Sequence, residues 1–230
     1  MRKTLIVSAL AVIALAIGAT IASADHAWNN YHFPSYNLSP AVVDNTSSSL
    51  YDVTAGVAEW SALGTGIQPV MTNANKGDIT VTEGFSPFWL GRARIFIDGD
   101  HITKGEVKLN TRLLQSYGLA AADHVLCQEI GHVLGLDHNR DGTEGGSPDN
   151  SCMNDQTTLG AFPAPNSHDI EQLNIIYDGH VDANPDDSTD SDGGGGGGGG
   201  GGGCPPGNPN HKNCQNSTGY WVTVHVFPIP

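Results

Sequence analysis

The sequence predicts an α+β domain in which short strands come first and the two longest helices follow. Strand-like segments lie close together between residues 67 and 111, whereas helical patterns occupy 119–135 and 166–178. Strands and helices grouped along the chain in this way favour an α+β fold over alternating β-α-β units. The 230 residues are enough for one domain with a hydrophobic core.

The first predicted helix lies within residues 47–63, and the serines ahead of it can cap its first turn. Apolar residues recur there at helical spacing: Leu50, Val53, Val57, Trp60 and Leu63. Strands are expected next at 67–73, 77–84, 93–100 and 105–111. The last of these alternates polar and apolar residues, which is typical of an edge strand.

The longest helix is predicted at 119–135, followed by a long loop and a second helix at 166–178. The core face of the first is formed by Ala122, Leu126, Ile130 and Val133. Asn166 or Ser167 is expected to cap the second helix. Asp169 and Glu171 are placed favourably in its first turn, near the positive end of the helix dipole.

The N-terminus has the pattern of a secretory signal peptide, residues 1–24. Arg2 and Lys3 precede an apolar run, and Ala22-Ser23-Ala24 is a small-residue cleavage site. The alternative is an uncleaved anchor helix, but the apolar run is short for a membrane span. The pattern therefore predicts a secreted, extracellular protein without stable membrane association after cleavage. Residues 25–47, rich in Pro, Asn and Ser, are expected to be irregular.

The composition changes after Tyr177, at the end of a domain predicted to span 48–180. Residues 181–203 form an acidic segment followed by eleven consecutive glycines, which is typical of a flexible linker. A small loop at 204–214 and a strand-like apolar segment at 219–230 complete the chain. The glycine tether could present that strand to a partner or to the protein's own sheet.

Four cysteines, Cys127, Cys152, Cys204 and Cys214, allow three pairings if two disulfides form. The order along the chain favours Cys127–Cys152 and Cys204–Cys214, because the glycine run separates the two pairs. A free nucleophilic Cys127 is the alternative, although no activating base is evident beside it.

The formal net charge of −14 argues against nucleic acid and anionic membrane surfaces as partners. The sequence does not indicate an oligomeric state.

The segment from Gln128 to His138 contains the residues of a catalytic metal site. Gln128 and His132 are four residues apart and share a helix face, and Glu129 stands beside that face. Gly135 can end the helix with a left-handed turn that brings His138 back toward the same point. Two imidazoles, a third ligand and an open position are typical of catalytic zinc. Glu129 could take a proton from metal-activated water and deliver it to a leaving amine.

This segment resembles the metzincin metallopeptidase signature H-E-x-x-H-x-x-G-x-x-H in every fixed position but the first. Ser151-Cys152-Met153-Asn154 resembles the Met-turn of that family. Looser resemblances to matrixins cover roughly residues 48–178. The resemblance implies a mixed twisted sheet packed on the active-site helix, with a second helix closing the domain.

The resemblance also implies a role for each matching residue. His132 and His138 correspond to zinc ligands, Glu129 to the general base and Met153 to the Met-turn methionine. Gln128 stands where the family has a histidine. Its amide oxygen can coordinate zinc, more weakly than imidazole; the alternative is a supporting or vestigial role. A Cys127–Cys152 bridge would clamp the Met-turn to the helix.

Two further metal hypotheses concern residues outside this segment. His124 is about 12 Å along the helix axis from His132 and cannot simply replace the missing ligand; it is expected to be exposed or at a rim. Oxygen ligands for calcium are available from Asp98, Asp100, Asp141 and Glu144, although acidic loops are more often simply solvated.

The sequence therefore predicts a secreted zinc endopeptidase that binds a protein or peptide substrate extended along the 105–110 strand. The alternative is an inactive metzincin-like binding protein with a degraded zinc site. Gln128 favours that alternative, whereas the presence of Glu129 argues against it. Substrate and cleavage specificity do not follow from the sequence.

Overall fold

A computed structural model describes residues 26–29, 31–139, 150–154, 159–178, 215–217 and 220–228. The signal peptide, the acidic and polyglycine linker, the Cys204–Cys214 loop, Asp141 and Glu144 lie outside these residues. Predictions for those segments stay predictions.

The described residues form seven strands and four helices. The strands are β1 (Ala41–Asn45), β2 (Val70–Met71), β3 (Ile79–Glu83), β4 (Trp89–Asp98), β5 (His101–Leu109), β6 (Gln215–Ser217) and β7 (Tyr220–Pro228). The helices are α1 (Val53–Ser61), α2 (Thr111–Tyr117), α3 (Leu119–Val133) and α4 (Ser167–Tyr177). The predicted α+β class with a mixed sheet agrees with this architecture.

The strands form one sheet in the order β2-β1-β3-β5-β4-β7-β6. The first four strands of that order pair in parallel, whereas β4 runs antiparallel to both β5 and β7. Helix α3 packs against β4 and β5, and α1 and α2 pack against α3. The long helix therefore lies between the sheet and the other helices.

Close approach of α3 to its neighbours depends on glycines. A methyl group at Gly105 of β5 would lie 2.9 Å from Val133 Cβ, and one at Gly56 of α1 would lie 2.9 Å from Leu126 Cδ2. Distances this short would force the elements apart. The absence of a side chain at both positions therefore lets apolar residues of α3 fill the core on both sides.

Side-chain caps set the beginnings of two predicted helices. Helix α1 is capped by Asp52, which accepts a hydrogen bond from Ala55 N at 3.0 Å, so the expected serine cap is wrong. Helix α4 begins with a capping box formed by Asn166 and Asp169, in agreement with one of the two expected caps.

Three other expectations differ from the structure. Residues 41–45, expected to be irregular, form β1 between β2 and β3. The 105–111 segment was expected to be an edge strand, but β5 lies between β3 and β4, so its backbone is paired on both sides. The short helix α2 was not predicted.

The N-terminal part of the chain is also ordered beyond expectation. Trp28 and Phe33 are each only 1% exposed within the core. The buried hydroxyl of Tyr177 accepts a hydrogen bond from Phe33 N and donates one to Leu134 O. One α4 side chain thus joins the N-terminal segment to the turn after α3.

The C-terminal strand pairs with the protein's own sheet, one of the two possibilities that the sequence left open. Among the described residues, no helix is both long and apolar enough to cross a membrane.

Candidate metal centre

The candidate centre is built on the last two turns of α3 and the turn that follows it. Gln128 and His132, one helical turn apart, are both fully buried, and His138 is 5% exposed. Gly135 has φ +102°, a left-handed conformation that favours glycine. Leu136 N donates to Gly131 O at 3.1 Å, so the chain reverses immediately after the helix, as the sequence predicted.

This reversal brings the two histidine rings together. The ring centres of His132 and His138 are 4.8 Å apart, with the ring planes inclined at 76°. Two imidazoles on one tetrahedral zinc have ring centres about 5 Å apart, since each Zn–N distance is about 2.0–2.1 Å. The spacing of the two rings fits a shared metal ion.

The tautomer of His132 is set by the same turn. Its Nδ1 lies 2.8 Å from the carbonyl oxygen of Leu136, which can only accept a hydrogen bond. Nδ1 must therefore carry the proton, and Nε2 of the neutral ring carries the lone pair. Histidines that bind metals commonly have this arrangement, because the backbone acceptor orients the ring and raises its basicity.

Gln128 directs its amide oxygen away from the backbone. Its Nε2 donates to Cys152 O at 2.8 Å, and that carbonyl could not accept from the other end of the amide. Oε1 is buried and, within the described part of the chain, has no hydrogen-bond partner. An unsatisfied buried acceptor costs about 1–3 kcal/mol. A cation beside Oε1 would remove that cost, so the donor set of Gln128, His132 and His138 fits zinc.

Histidine, cysteine and carboxylate ligands alone do not complete such a centre. In the described ranges, no group of three or more such side chains is arranged to hold a metal ion. Gln128, whose buried amide oxygen has no hydrogen-bond partner among the described residues, is a candidate for a donor of another type. Asp98 and Asp100, the described members of the proposed calcium set, belong to no such group either.

Glu129 lies beneath the backbone of β4, the strand next to the candidate metal centre. A methyl group at Gly91 would lie 2.5 Å from Glu129 Oε1 and 2.8 Å from its Cγ, so the carboxyl occupies the space that glycine leaves. Burial raises the pKa of Glu129 well above its usual range, while the Ala93 backbone amide and the charge of Arg92 act in the opposite direction.

Met153 packs directly under the helix. A side chain at Gly131 would collide with the sulfur of Met153 and with the indole of Trp60. Gly131 is thus required by close packing rather than by helix propensity, which glycine lowers by about 1 kcal/mol relative to alanine. Met153 itself is fully buried.

The predicted Cys127–Cys152 disulfide is present, with the two Cα atoms 6.0 Å apart. It joins α3 to the residue before Met153, and Asn139 N donates to Met153 O at 2.9 Å. The methionine turn is therefore attached both to the helix and to the residue after His138.

His124 is fully buried, so its expected exposed position is wrong. The ring accepts a hydrogen bond from Gly160 N at 3.1 Å, and burial lowers the pKa of His124 to about 4. The neutral imidazole holds the Gly160 backbone against α3. Because polar residues on a helix can face either water or a folded loop, the sequence pattern could not distinguish these cases.

Two features beside the centre were not predicted. The first is Trp28, whose ring centre lies 6.0 Å from that of His132. Trp28 N donates to Gly135 O at 2.7 Å, and Asp137 N donates to His26 O at 2.6 Å. The segment thus follows the turn between the two histidines. The sequence did contain a signal for this packing, because Trp28 and Phe33 are large apolar residues within an otherwise polar stretch.

The second is the burial of the Asp169 carboxylate, which the sequence predicted only as a first-turn residue of α4. Its Oδ2 accepts hydrogen bonds from Ser151 Oγ at 2.6 Å and from Asn166 N at 2.7 Å, and His26 Nε2 lies 3.6 Å from Oδ1. Burial raises the pKa of Asp169 to about 6, although both hydrogen bonds oppose that rise. The Ser151 hydroxyl also accepts from Met153 N, which links Asp169 to the methionine turn.

No family model matches the chain, and no curated protein matches it. Among solved structures, the chain is similar to high choriolytic enzyme 1, a hatching enzyme zinc-protease from the medaka fish Oryzias latipes. The similarity has 10% identity and a TM-score of 0.37, and it covers 64% of this chain and 94% of the other.

Proposed function

We propose that the protein is a secreted zinc-dependent endopeptidase of metzincin type, closest to matrixins. The observation that carries the proposal is the buried Gln128 Oε1, which has no hydrogen-bond partner in the described residues and shares a helix face with His132. Gln128, His132 and His138 would hold the zinc ion. Secretion is supported by the leader pattern and by the disulfide, which persists in oxidising compartments.

Zinc, when bound, supplies Lewis acidity that lowers the pKa of water and polarises a carbonyl oxygen. The side chains supply the rest of the mechanism. Glu129, confined beneath Gly91, accepts a proton and later delivers it to the leaving amine. Its raised pKa suits a group that must hold a proton between these steps. His132 is kept in one tautomer by Leu136 O, and Met153 supports the helix beneath the ligands.

The substrate edge expected at residues 105–110 is replaced in this proposal, because β5 is paired on both sides. Strand β4, which carries Gly91 against Glu129, is paired with β5 on one side and with the C-terminal strand β7 on the other, so an extended peptide would reach the centre along β4 only in place of β7.

A binding protein without peptidase activity is the second candidate. The specific observation in its favour is that Gln128, Glu129 and His132 are all fully buried, whereas catalysis requires access for substrate. The two candidates differ in whether the zinc-loaded protein cleaves peptide bonds.

The test is Glu129→Gln, which removes the proposed base and keeps the shape of the side chain. Elemental analysis after zinc loading should find roughly one zinc per chain in wild type and variant. Only the variant should lose hydrolysis of an unstructured protein, by at least about 100-fold. Glu171→Gln on the outer face of α4 is the matched control. Zinc binding without hydrolysis in wild type would favour the binding protein, and absence of zinc would contradict the peptidase and agree with a binding protein that has a degraded zinc site.

A further inference from the structure

The outer edge of β4 is occupied by a strand from the far end of the chain. Strand β7 pairs antiparallel with β4, with Phe96 opposite Val222 and Ala93 opposite His225. Without β7, β4 would be the last strand on this side of the sheet. Its backbone amides and carbonyls would then be open to pairing with another extended segment.

This edge lies next to the candidate centre. Gly91 and Ala93 of β4 are the residues whose backbone approaches Glu129, and β7 spans the β4 positions on both sides of Ala93. Strand β7 also approaches α3 itself. A strand at this edge therefore occupies the place where an external peptide would pass the centre.

The way in which β7 is attached makes it a tethered occupant rather than a continuation of the domain. Between α4 and β6 the sequence contains the acidic segment and the eleven glycines Gly193–Gly203, a composition that favours a flexible tether.

We propose that Tyr220–Pro228 is a resident, displaceable ligand of the β4 edge, and that an extended peptide from outside binds the same edge antiparallel in its place. The claim that this peptide is a substrate rests on the function proposed above. The claim that the edge exchanges its occupant does not.

The charges of β4 indicate which peptide would compete best. Arg92 and Arg94 alternate along the strand, and the resident strand places Val226 and Val224 opposite them. Burial and the charge of Arg94 lower the pKa of Arg92, whereas the charges of Glu106 and Glu129 act in the opposite direction. Arg94 is already 3.6 Å from Glu106 of β5. Opposite charges in directly paired positions stabilise a strand pair, so a peptide with acidic residues at these two positions is favoured.

The first experiment frees the edge in the full chain. Thr223→Pro/Val224→Pro removes two consecutive amide donors from β7, and Gly197→Pro/Gly198→Pro in the tether is the matched control. Hydrogen exchange of segment 89–98 should become faster in the β7 variant alone, while β3 at 79–83 keeps its protection. Faster exchange in both segments would indicate general unfolding. In that case, a protease recognition sequence inserted between Gly197 and Gly198 and cut after folding releases the same strand.

The second experiment measures exchange of the occupant. The probe is a labelled nine-residue peptide with the β7 sequence. The tethered strand has an effective concentration of about 1 mM at the edge, and we take the Kd of its sequence for the edge as about 0.1 mM. Occupancy by the tethered strand then weakens the apparent affinity of a free peptide for the edge roughly tenfold. The peptide should therefore bind the freed edge about tenfold more tightly than wild type. A V224E/V226E peptide should bind more tightly still and a V224K/V226K peptide more weakly, and Arg92→Gln should reduce that difference.

Three results would overturn the inference. Equal hydrogen exchange of segment 89–98 in wild type and in the β7 variant would show that β7 does not protect β4. Equal peptide affinity for wild type and freed protein would show that the edge has no exchangeable occupant. Protection that falls on dilution of wild type would assign the edge to the strand of a second copy. Peptide binding without hydrolysis would leave the inference intact and contradict the proposed peptidase. Zinc-dependent hydrolysis unaffected by freeing the edge would contradict only the claim that the peptide bound at this edge is the substrate.

Discussion

The Gln128 amide donates its hydrogen bond to the carbonyl oxygen of Cys152, and this one bond decides which end of the side chain is available to a metal. Because the amino group faces Cys152, Oε1 is directed elsewhere and remains unsatisfied within the described residues. A disulfide-bonded residue of the methionine turn thus orients the Gln128 amide on the helix.

Two substitutions of Gln128 should change the zinc affinity in opposite directions. Gln128→Ala removes the oxygen donor and should weaken zinc binding at least about tenfold, the scale seen even for residues that only support a ligand. Gln128→His should strengthen it, because imidazole is the better donor for zinc. Competitive titration against a calibrated chelator measures both, with the exposed Gln115→Ala as control. Equal affinity of wild type and Gln128→Ala would show that Gln128 does not touch the metal.

Gly91→Ala should disable catalysis without removing the metal ligands. The added methyl group would lie 2.5 Å from Glu129 Oε1, so the carboxyl must move. The expected result is at least about a tenfold loss of kcat/KM, together with a loss of stability of about 1–3 kcal/mol from overpacking. Gly105→Ala, which meets Val133 and not Glu129, is the packing control. If both variants lose activity in proportion to folded protein, Gly91 has no special relation to the base.

Reduction of the Cys127–Cys152 disulfide should destabilise the domain and weaken metal binding. The bridge closes a sequence separation of 25 residues, which corresponds to about 3–4 kcal/mol in the chain-entropy description. Denaturant unfolding of Cys127→Ser/Cys152→Ser against wild type gives the free energy. Cys204→Ser/Cys214→Ser is the matched pair and should leave the 26–178 region unaffected. Peptide mapping under non-reducing conditions that links Cys127 to Cys204 or Cys214 would contradict the clamp.

The pH dependence of stability should carry the signature of Asp169. Its pKa is about 6 in the folded protein and about 4 when unfolded, so the folded state binds more protons between these values. The free energy of unfolding should therefore fall as pH rises from about 4 to 6, by an amount on the order of 3 kcal/mol. Asp169→Asn should lack that fall.

Other titratable groups surround this carboxylate: His26 and His168 lie near Asp169, and Glu171 lies beside His168. The informative quantity is therefore the difference in the free energy of unfolding between wild type and Asp169→Asn at each pH. Asp178→Asn, at the exposed end of α4, is the control. A difference that rises with pH, or none, would mean that burial of Asp169 is offset by its hydrogen bonds.

Local patterns predicted the parts of the fold that depend on local physics. Helices α3 and α4 follow from apolar spacing and, for α4, from the Asn166 cap. Gly135 follows from the left-handed turn that the reversal requires. The Cys127–Cys152 pairing follows from the order of the cysteines along the chain.

The misplaced elements depend on contacts between distant residues. Strand β1 is polar on its exposed positions and forms because β2 and β3 pair with it from both sides. The alternation in β5 suits an edge strand equally well, and its central place is decided by β4 folding back as a hairpin. His124 is buried because Gly160, 36 residues away, donates to its ring.

The backbone oxygen of His26 accepts a hydrogen bond from Asp137 N, and Asp137 is the residue before His138. Any purification tag attached ahead of this point would start next to the histidine pair. A run of tag histidines there would be a local source of imidazole, and it would distort zinc titrations or stand in for the missing ligand of the Gln128→Ala variant. The polyglycine segment, remote in sequence from both histidines, is the better place for a removable tag, and metal measurements should be made on protein whose first residues are native.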